Sequence, residues 1–161
     1  RFASDEDAMR FALAAAQRNI DDGGGPFGAL VLEAHGRLVA TGVNRVVAGR
    51  ASCLHAEMVA LMRAQHRVGS HDLATRGGHT LISTCAPCAM CLGAIPFSGV
   101  HTLVCGADGA DAEAVGFDEG AKPADWIAAL GARGIVVRTG CLAGEARALL
   151  ARYRDAGGVV Y

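Results

Sequence analysis

Three cysteines at three-residue spacing, Cys85, Cys88 and Cys91, constrain this chain more than any other feature. Residues three apart on a helix share one face, so the sulfurs of Cys88 and Cys91 can reach one ion. Pro87 stands directly before them, where a helix start tolerates a missing N–H. The free N–H groups and positive dipole end of a helix start favour thiolate, the form that binds metal. Cys53, Cys105 and Cys141 have no such spacing and read as inert buried thiols. The chain also lacks the small size and loop density of a disulfide-stapled secreted domain. The cluster therefore reads as metal chemistry.

A second motif, His55-Ala56-Glu57, opens another predicted helix. His55 would supply a nitrogen to the ion held by Cys88 and Cys91. Three protein ligands match a catalytic zinc, which keeps a fourth position for water. Zinc with two thiolates has no net charge, so it acidifies that water less than zinc on three histidines does. A nearby base then becomes useful, and Glu57 is close enough to serve without ligating. Together the halves match the H-x-E and P-C-x-x-C signature of zinc deaminases. The reaction expected is hydrolytic loss of ammonia from an amino-substituted heteroaromatic ring, with Glu57 as proton shuttle. Two plainer readings stand beside it. One makes these residues a helix-terminal histidine, a solvated acid and buried thiols. The other is a structural zinc closed by a fourth ligand, for which Cys85 is the candidate.

Patterning supplies a fold in which the two motifs can meet. Ser4, with Asp7 three residues on, predicts a first helix over residues 4–19. Strands are expected at 27–33, 37–41, 79–83, 100–105 and 135–138. Further helices are expected at 55–66, 88–95, 126–132 and 145–153. Residues 43–52 read as loop. The alternation implies an α/β protein, a three-layer α/β/α sandwich around a central five-stranded mixed sheet.

Composition limits the classes of partner. At 161 residues the chain suits a single domain over 1–161 with one core. Hydrophobic residues make up 52% and charged residues 19%, which excludes extensive disorder. A net charge of −1 gives no pull on a polyanion and argues against nucleic acid as partner. No apolar run approaches a membrane span, and no leader pattern is visible. A reducing cytoplasm is the expected compartment.

With these residues in place, the chain resembles the cytidine-deaminase-like superfamily of zinc-dependent deaminases, and within it the bacterial guanine deaminases. The resemblance rests on Gly25-Pro26-Phe27-Gly28-Ala29, Asn44, His55-Ala56-Glu57 and the run from Cys85 to Ile95. It continues through Ala114-Val115-Gly116-Phe117-Asp118-Glu119 to Tyr161. It implies one Zn2+ per subunit on His55, Cys88 and Cys91, with Glu57 and Glu119 catalytic. Asn44 would hydrogen-bond the base and Phe27 would pack on its face. Ala56, Pro87, Asp118 and Tyr161 would complete the substrate wall. It also implies a homodimer in which the segment from about 140 to 161 is exchanged, carrying Tyr161 to a neighbour's pocket.

The resemblance has two departures. Ala86 replaces a usual Glu, and Glu119 stands where an Asp is usual. The second puts an added methylene in the pocket and keeps cytosine or an s-triazine open as substrates beside guanine. Arg147, Arg152 and Arg154 on the last helix keep transfer-RNA adenosine deamination open, and a zinc-stabilised interaction module remains the non-enzymatic alternative.

Overall fold

The computed structural model describes all residues from Arg1 to Tyr161. Helix α1 (Asp5–Asp21) starts where Ser4 Oγ accepts the N–H of Asp7 at 3.1 Å. Strands β1 (Gly28–Glu33) and β2 (Arg37–Val43) follow as an antiparallel pair. A short helix α2 (Val46–Gly49) leads to α3 (Ala56–Val68), β3 (His79–Cys85) and α4 (Ala89–Ser98). The chain continues through β4 (Thr102–Ala107), α5 (Gly109–Ala114), α6 (Trp126–Gly131), β5 (Val136–Arg138) and α7 (Ala143–Asp155).

The five strands form one sheet in the order β2-β1-β3-β4-β5. β1 is antiparallel to both neighbours, while β3, β4 and β5 are parallel. Four strands therefore run one way, and only β1 opposes them. This polarity positions the site: α3 follows β2 and α4 follows β3, so both helices begin at the same end of the sheet.

Strand alternation separates two cores. Leu30, Leu32, Ile82 and Val104 face α1 and α7, against Met9, Leu13, Leu149 and Tyr153. Ala29, Val31, Leu81 and Leu103 face the other way, against Ala60, Leu61 and Ala64 of α3 and Ile95 of α4. Each large apolar side chain so buried contributes about 1.5–3 kcal/mol. Alanine and glycine set the spacing of the second layer. A Cβ on Gly42 of β2 would collide with the backbone of Ala56 and Ala60, so α3 lies directly on the strand. The helix carrying His55 and Glu57 at its start is thereby fixed against the sheet.

The expected five-stranded mixed sheet between helices is present. The differences are local. The stretch read as loop over 43–52 contains α2 and the end of β2. A further helix, α5, forms where none was expected, with Asp108 and Asp111 exchanging side-chain to backbone hydrogen bonds at 2.8 and 3.0 Å. α4 runs past the expected stop at Ile95, with Pro96 inside it, and ends at Gly99 with φ of 79°. No helix is long and apolar enough to cross a membrane.

Candidate active site

The starts of α3 and α4 bring the two motifs together. His55 is the N-cap of α3 and Cys88 the N-cap of α4, both with extended backbone. His55 Nδ1 lies 3.4 Å from Cys88 Sγ. Cys91 follows one turn into α4 and is fully buried. The ligand atoms of the three residues all lie within 4.8 Å of one another. A tetrahedral zinc at bond lengths of about 2.0–2.3 Å needs its ligand atoms roughly 3.5–3.8 Å apart. The donor set and its spacing fit that ion.

Electrostatics at the cluster agree with metal binding. The side-chain hydrogen bond with Cys91 and the adjacent His55 hold the Cys88 thiol well down, at about 4, against the opposing effect of burial. The same contact and burial push the Cys91 thiol up. A divalent cation at the cluster would leave both as thiolates. Cys85 takes no part. Its thiol donates to the carbonyl of Asp108 at 3.3 Å, which removes the fourth ligand of a closed structural site.

Glu57, in the first turn of α3, is 6% exposed, and burial raises its carboxyl above the ordinary range. Both Glu57 and His55 line a cavity of about 30 Å³ whose wall includes Phe27, Asn44, Cys88, Phe117, Glu119 and Tyr161. Asn44 is fixed by its backbone. Its N–H donates to Phe27 at 3.1 Å, and its carbonyl accepts from Asn19 Nδ2 at 2.8 Å. Its side-chain oxygen accepts from the N–H of Val46 at 3.2 Å and from the hydroxyl of Tyr161. The amide nitrogen is left without a protein acceptor. Gly25 is required here, because a Cβ there would stand 2.6 Å from the Tyr161 hydroxyl and 2.9 Å from Asn44 Oδ1.

An aromatic cluster builds the apolar wall. The rings of Phe27 and Phe117 meet edge to face at 4.8 Å, and those of Phe117 and Tyr161 at 5.4 Å. Opposite stands Glu119, whose carboxyl burial raises to about 7 although the Lys122 ammonium opposes the shift.

The other expected site residues fall in different places. Within the single chain Tyr161 lines this cavity, as α7 and the following residues fold back over Phe117. Ala56 and Pro87 are buried at the helix starts but are not part of the cavity wall. Ala56 instead packs on Gly42. Asp118 reaches the wall but is exposed, and its carboxylate accepts the N–H of Gly120 at 2.8 Å to close a turn. Cys85, Ala86 and Phe117 of the wall were not singled out as substrate contacts. Their place beside Pro87-Cys88 and the resemblance around Phe117 are the signals that mark them.

Comparison with known proteins agrees with this geometry. Residues 3–107 match the cytidine and deoxycytidylate deaminase zinc-binding region. The guanine deaminase of Bacillus subtilis (strain 168) is 33% identical over 115 residues, covering 71% of each chain. A solved structure of the guanine deaminase from Nitrosomonas europaea is 46% identical with a TM-score of 0.94, over 96% of this chain and 86% of that one. A complex with 2,6-diaminopurine is 47% identical with a TM-score of 0.95, over 99% of this chain and 86% of that one. With three metal-ligating side chains placed as such a region requires, the chain belongs to the cytidine and deoxycytidylate deaminase zinc-binding family.

Proposed function

We propose that this zinc-dependent deaminase hydrolyses a free purine base, converting guanine and water to xanthine and ammonia. The observation that carries the reading is the cluster of His55, Cys88 and Cys91 beside buried Glu57, in one cavity with Asn44 and Glu119. Zinc held by His55, Cys88 and Cys91 would supply an activated water. In the overall step a C–O bond forms at the amino-bearing ring carbon, the C–N bond breaks and ammonia leaves. Glu57 takes one proton of the attacking water and gives it to a ring nitrogen, then takes the second from the added hydroxyl and gives it to the departing amine. Burial favours its protonated form, which suits a group that must hold the proton between those transfers.

The amide nitrogen of Asn44 donates to a ring acceptor, and the Phe27 and Phe117 rings cover an aromatic face. Glu119, with its carboxyl at about 7, exchanges a proton readily near neutral pH and suits the polar edge of a purine. The relatives support a purine: two are guanine deaminases and one is bound to 2,6-diaminopurine. A homodimer with exchanged C-terminal segments belongs to the same reading. In it, Tyr161 would make in the partner's cavity the contacts it makes here in its own.

Ammonia release from guanine, adenine, cytosine, isocytosine, ammeline and the matching nucleosides tests the proposal, with zinc content measured on the same sample. Guanine is expected to be preferred over its nucleoside, since Tyr161 bonded to Asn44 narrows the cavity. A preference for cytosine, ammeline or a nucleoside would overturn the assignment of guanine.

A further inference from the structure

We propose that Lys122 is a positioning residue for Glu119, holding one carboxylate oxygen so that the other serves the substrate. The inference rests on the deaminase reading above, which places Glu119 in the substrate wall. It begins from the sequence. Of 15 lysines and arginines, Lys122 is the only lysine. The one position at which the chain departs from arginine is beside a cavity carboxylate.

The contact is enclosed. Lys122 Nζ lies 3.4 Å from Glu119 Oε2, with the side chains only 13% and 9% exposed. The same ammonium sits 4.7 Å from the centre of the Trp126 ring, whose face supplies a second attraction. The backbone is shaped to deliver it. Asp118 caps the N–H of Gly120, Gly120 adopts φ of 69°, and the N–H of Lys122 donates to the carbonyl of Gly120 at 2.8 Å. This turn folds Lys122 back over Glu119. Gly109 supplies the space: a Cβ there would stand 3.0 Å from Oε2 and 3.3 Å from Nζ. The carbonyl of Glu119 accepts the N–H of Ala89 at 2.9 Å, which ties the pair to the start of α4 beside Cys88.

The choice of lysine has a chemical reason. A guanidinium fork pairs with both oxygens of a carboxylate, whereas an ammonium is a compact point charge that takes one. Here Oε2 has the ammonium and Oε1 has no protein partner. Arginine would occupy both oxygens. Lys122 does not line the cavity that holds Glu57 and Asn44, and acts there through Glu119.

The test uses Lys122→Met, Lys122→Arg, Glu119→Gln and the double variant Lys122→Met/Glu119→Gln, each with zinc content and thermal midpoint measured. Misplacing a catalytic group by about an ångström costs up to roughly a hundredfold. Lys122→Met is expected to lower kcat at least tenfold with a smaller change in KM. Lys122→Arg is expected to restore thermal stability without restoring kcat. In the Glu119→Gln background the further change to methionine should have no added effect on rate.

A second readout needs no turnover. Because no other lysine exists, acetylation by a succinimidyl ester, followed by mass spectrometry of the peptide carrying residue 122, reads this ammonium alone. Labelling should be several-fold faster in Glu119→Gln than in the wild type. Wild-type kinetics in Lys122→Met, losses that multiply in the double variant, full kcat in Lys122→Arg or equal labelling rates would each overturn the inference. If the wild type releases no ammonia from any base, the functional reading fails instead, and the labelling comparison still decides whether Glu119 holds Lys122.

Discussion

The hydroxyl of Tyr161 donates to Oδ1 of Asn44, 117 positions earlier in the chain. Burial raises the phenol above its ordinary range, so it remains a donor at any working pH. The contact holds the Tyr161 side chain closed over the cavity and leaves the Asn44 amide nitrogen free. Tyr161→Phe removes the hydrogen bond and keeps the ring against Phe117. A hydrogen bond of this kind is worth about 0.5–1.5 kcal/mol net. The expected result is a two- to tenfold lower KM for guanine in steady-state assays. A raised KM would assign the hydroxyl to substrate binding.

In the proposed reaction Glu57 carries protons and is not a zinc ligand. Glu57→Gln preserves shape and hydrogen-bonding length but removes the base. Zinc should remain at one ion per chain, while kcat falls by about 10²–10⁴-fold. Metal analysis and initial rates on one preparation check both halves. A full rate with zinc retained removes Glu57 from the mechanism.

Removal of zinc should abolish ammonia release and lower the thermal midpoint, since an ion that binds only the folded chain stabilises it. Added zinc should restore both. Cys91→Ala removes a buried ligand and should not recover under the same treatment. Cys85→Ala should keep zinc, because that thiol bonds to Asp108 instead. Loss of zinc from Cys85→Ala would reinstate a four-ligand site.

The raised carboxyl of Glu119 makes a stability prediction with a definite sign. Its value rises from an ordinary 4.5 to about 7, so the folded chain holds this proton more tightly than the unfolded one. Stability from this group is greatest below 4.5, declines as pH rises towards 7 and is level above that. Urea unfolding of metal-free protein across this range should show a shallower decline in Glu119→Gln than in the wild type. Glu57 contributes a slope of the same sign to both, and the comparison cancels it. Parallel slopes would refute the assignment.

The metal cluster was legible in the chain because helix spacing and helix starts determine it locally. His55, Cys88 and Cys91 needed only two helix N-termini at one end of a sheet, and strand alternation implied such a sheet. The expected end of that helix at residue 95 falls just before Pro96, whose ring and missing N–H usually stop a helix. Here Ile95 is fully buried and Gly99 closes the helix after Ser98, so tertiary packing overrides the local preference. The short helices α2 and α5 were not read because neither has enough residues to show a period. The Lys122–Glu119 pair was invisible for a different reason. It depends on a turn at Gly120 and on space at Gly109, eleven residues earlier, and no periodic pattern encodes that juxtaposition. The path of Tyr161 likewise depends on where α7 ends against Phe117.

The volume of the cavity, about 30 Å³, has a kinetic meaning. Little of it is open to solvent while Tyr161 is bonded to Asn44. Entry of a base is then a two-step event, with Tyr161 parting from Asn44 first. Rapid mixing should show an association rate that levels off at high base concentration, and the plateau would measure how often the chain opens.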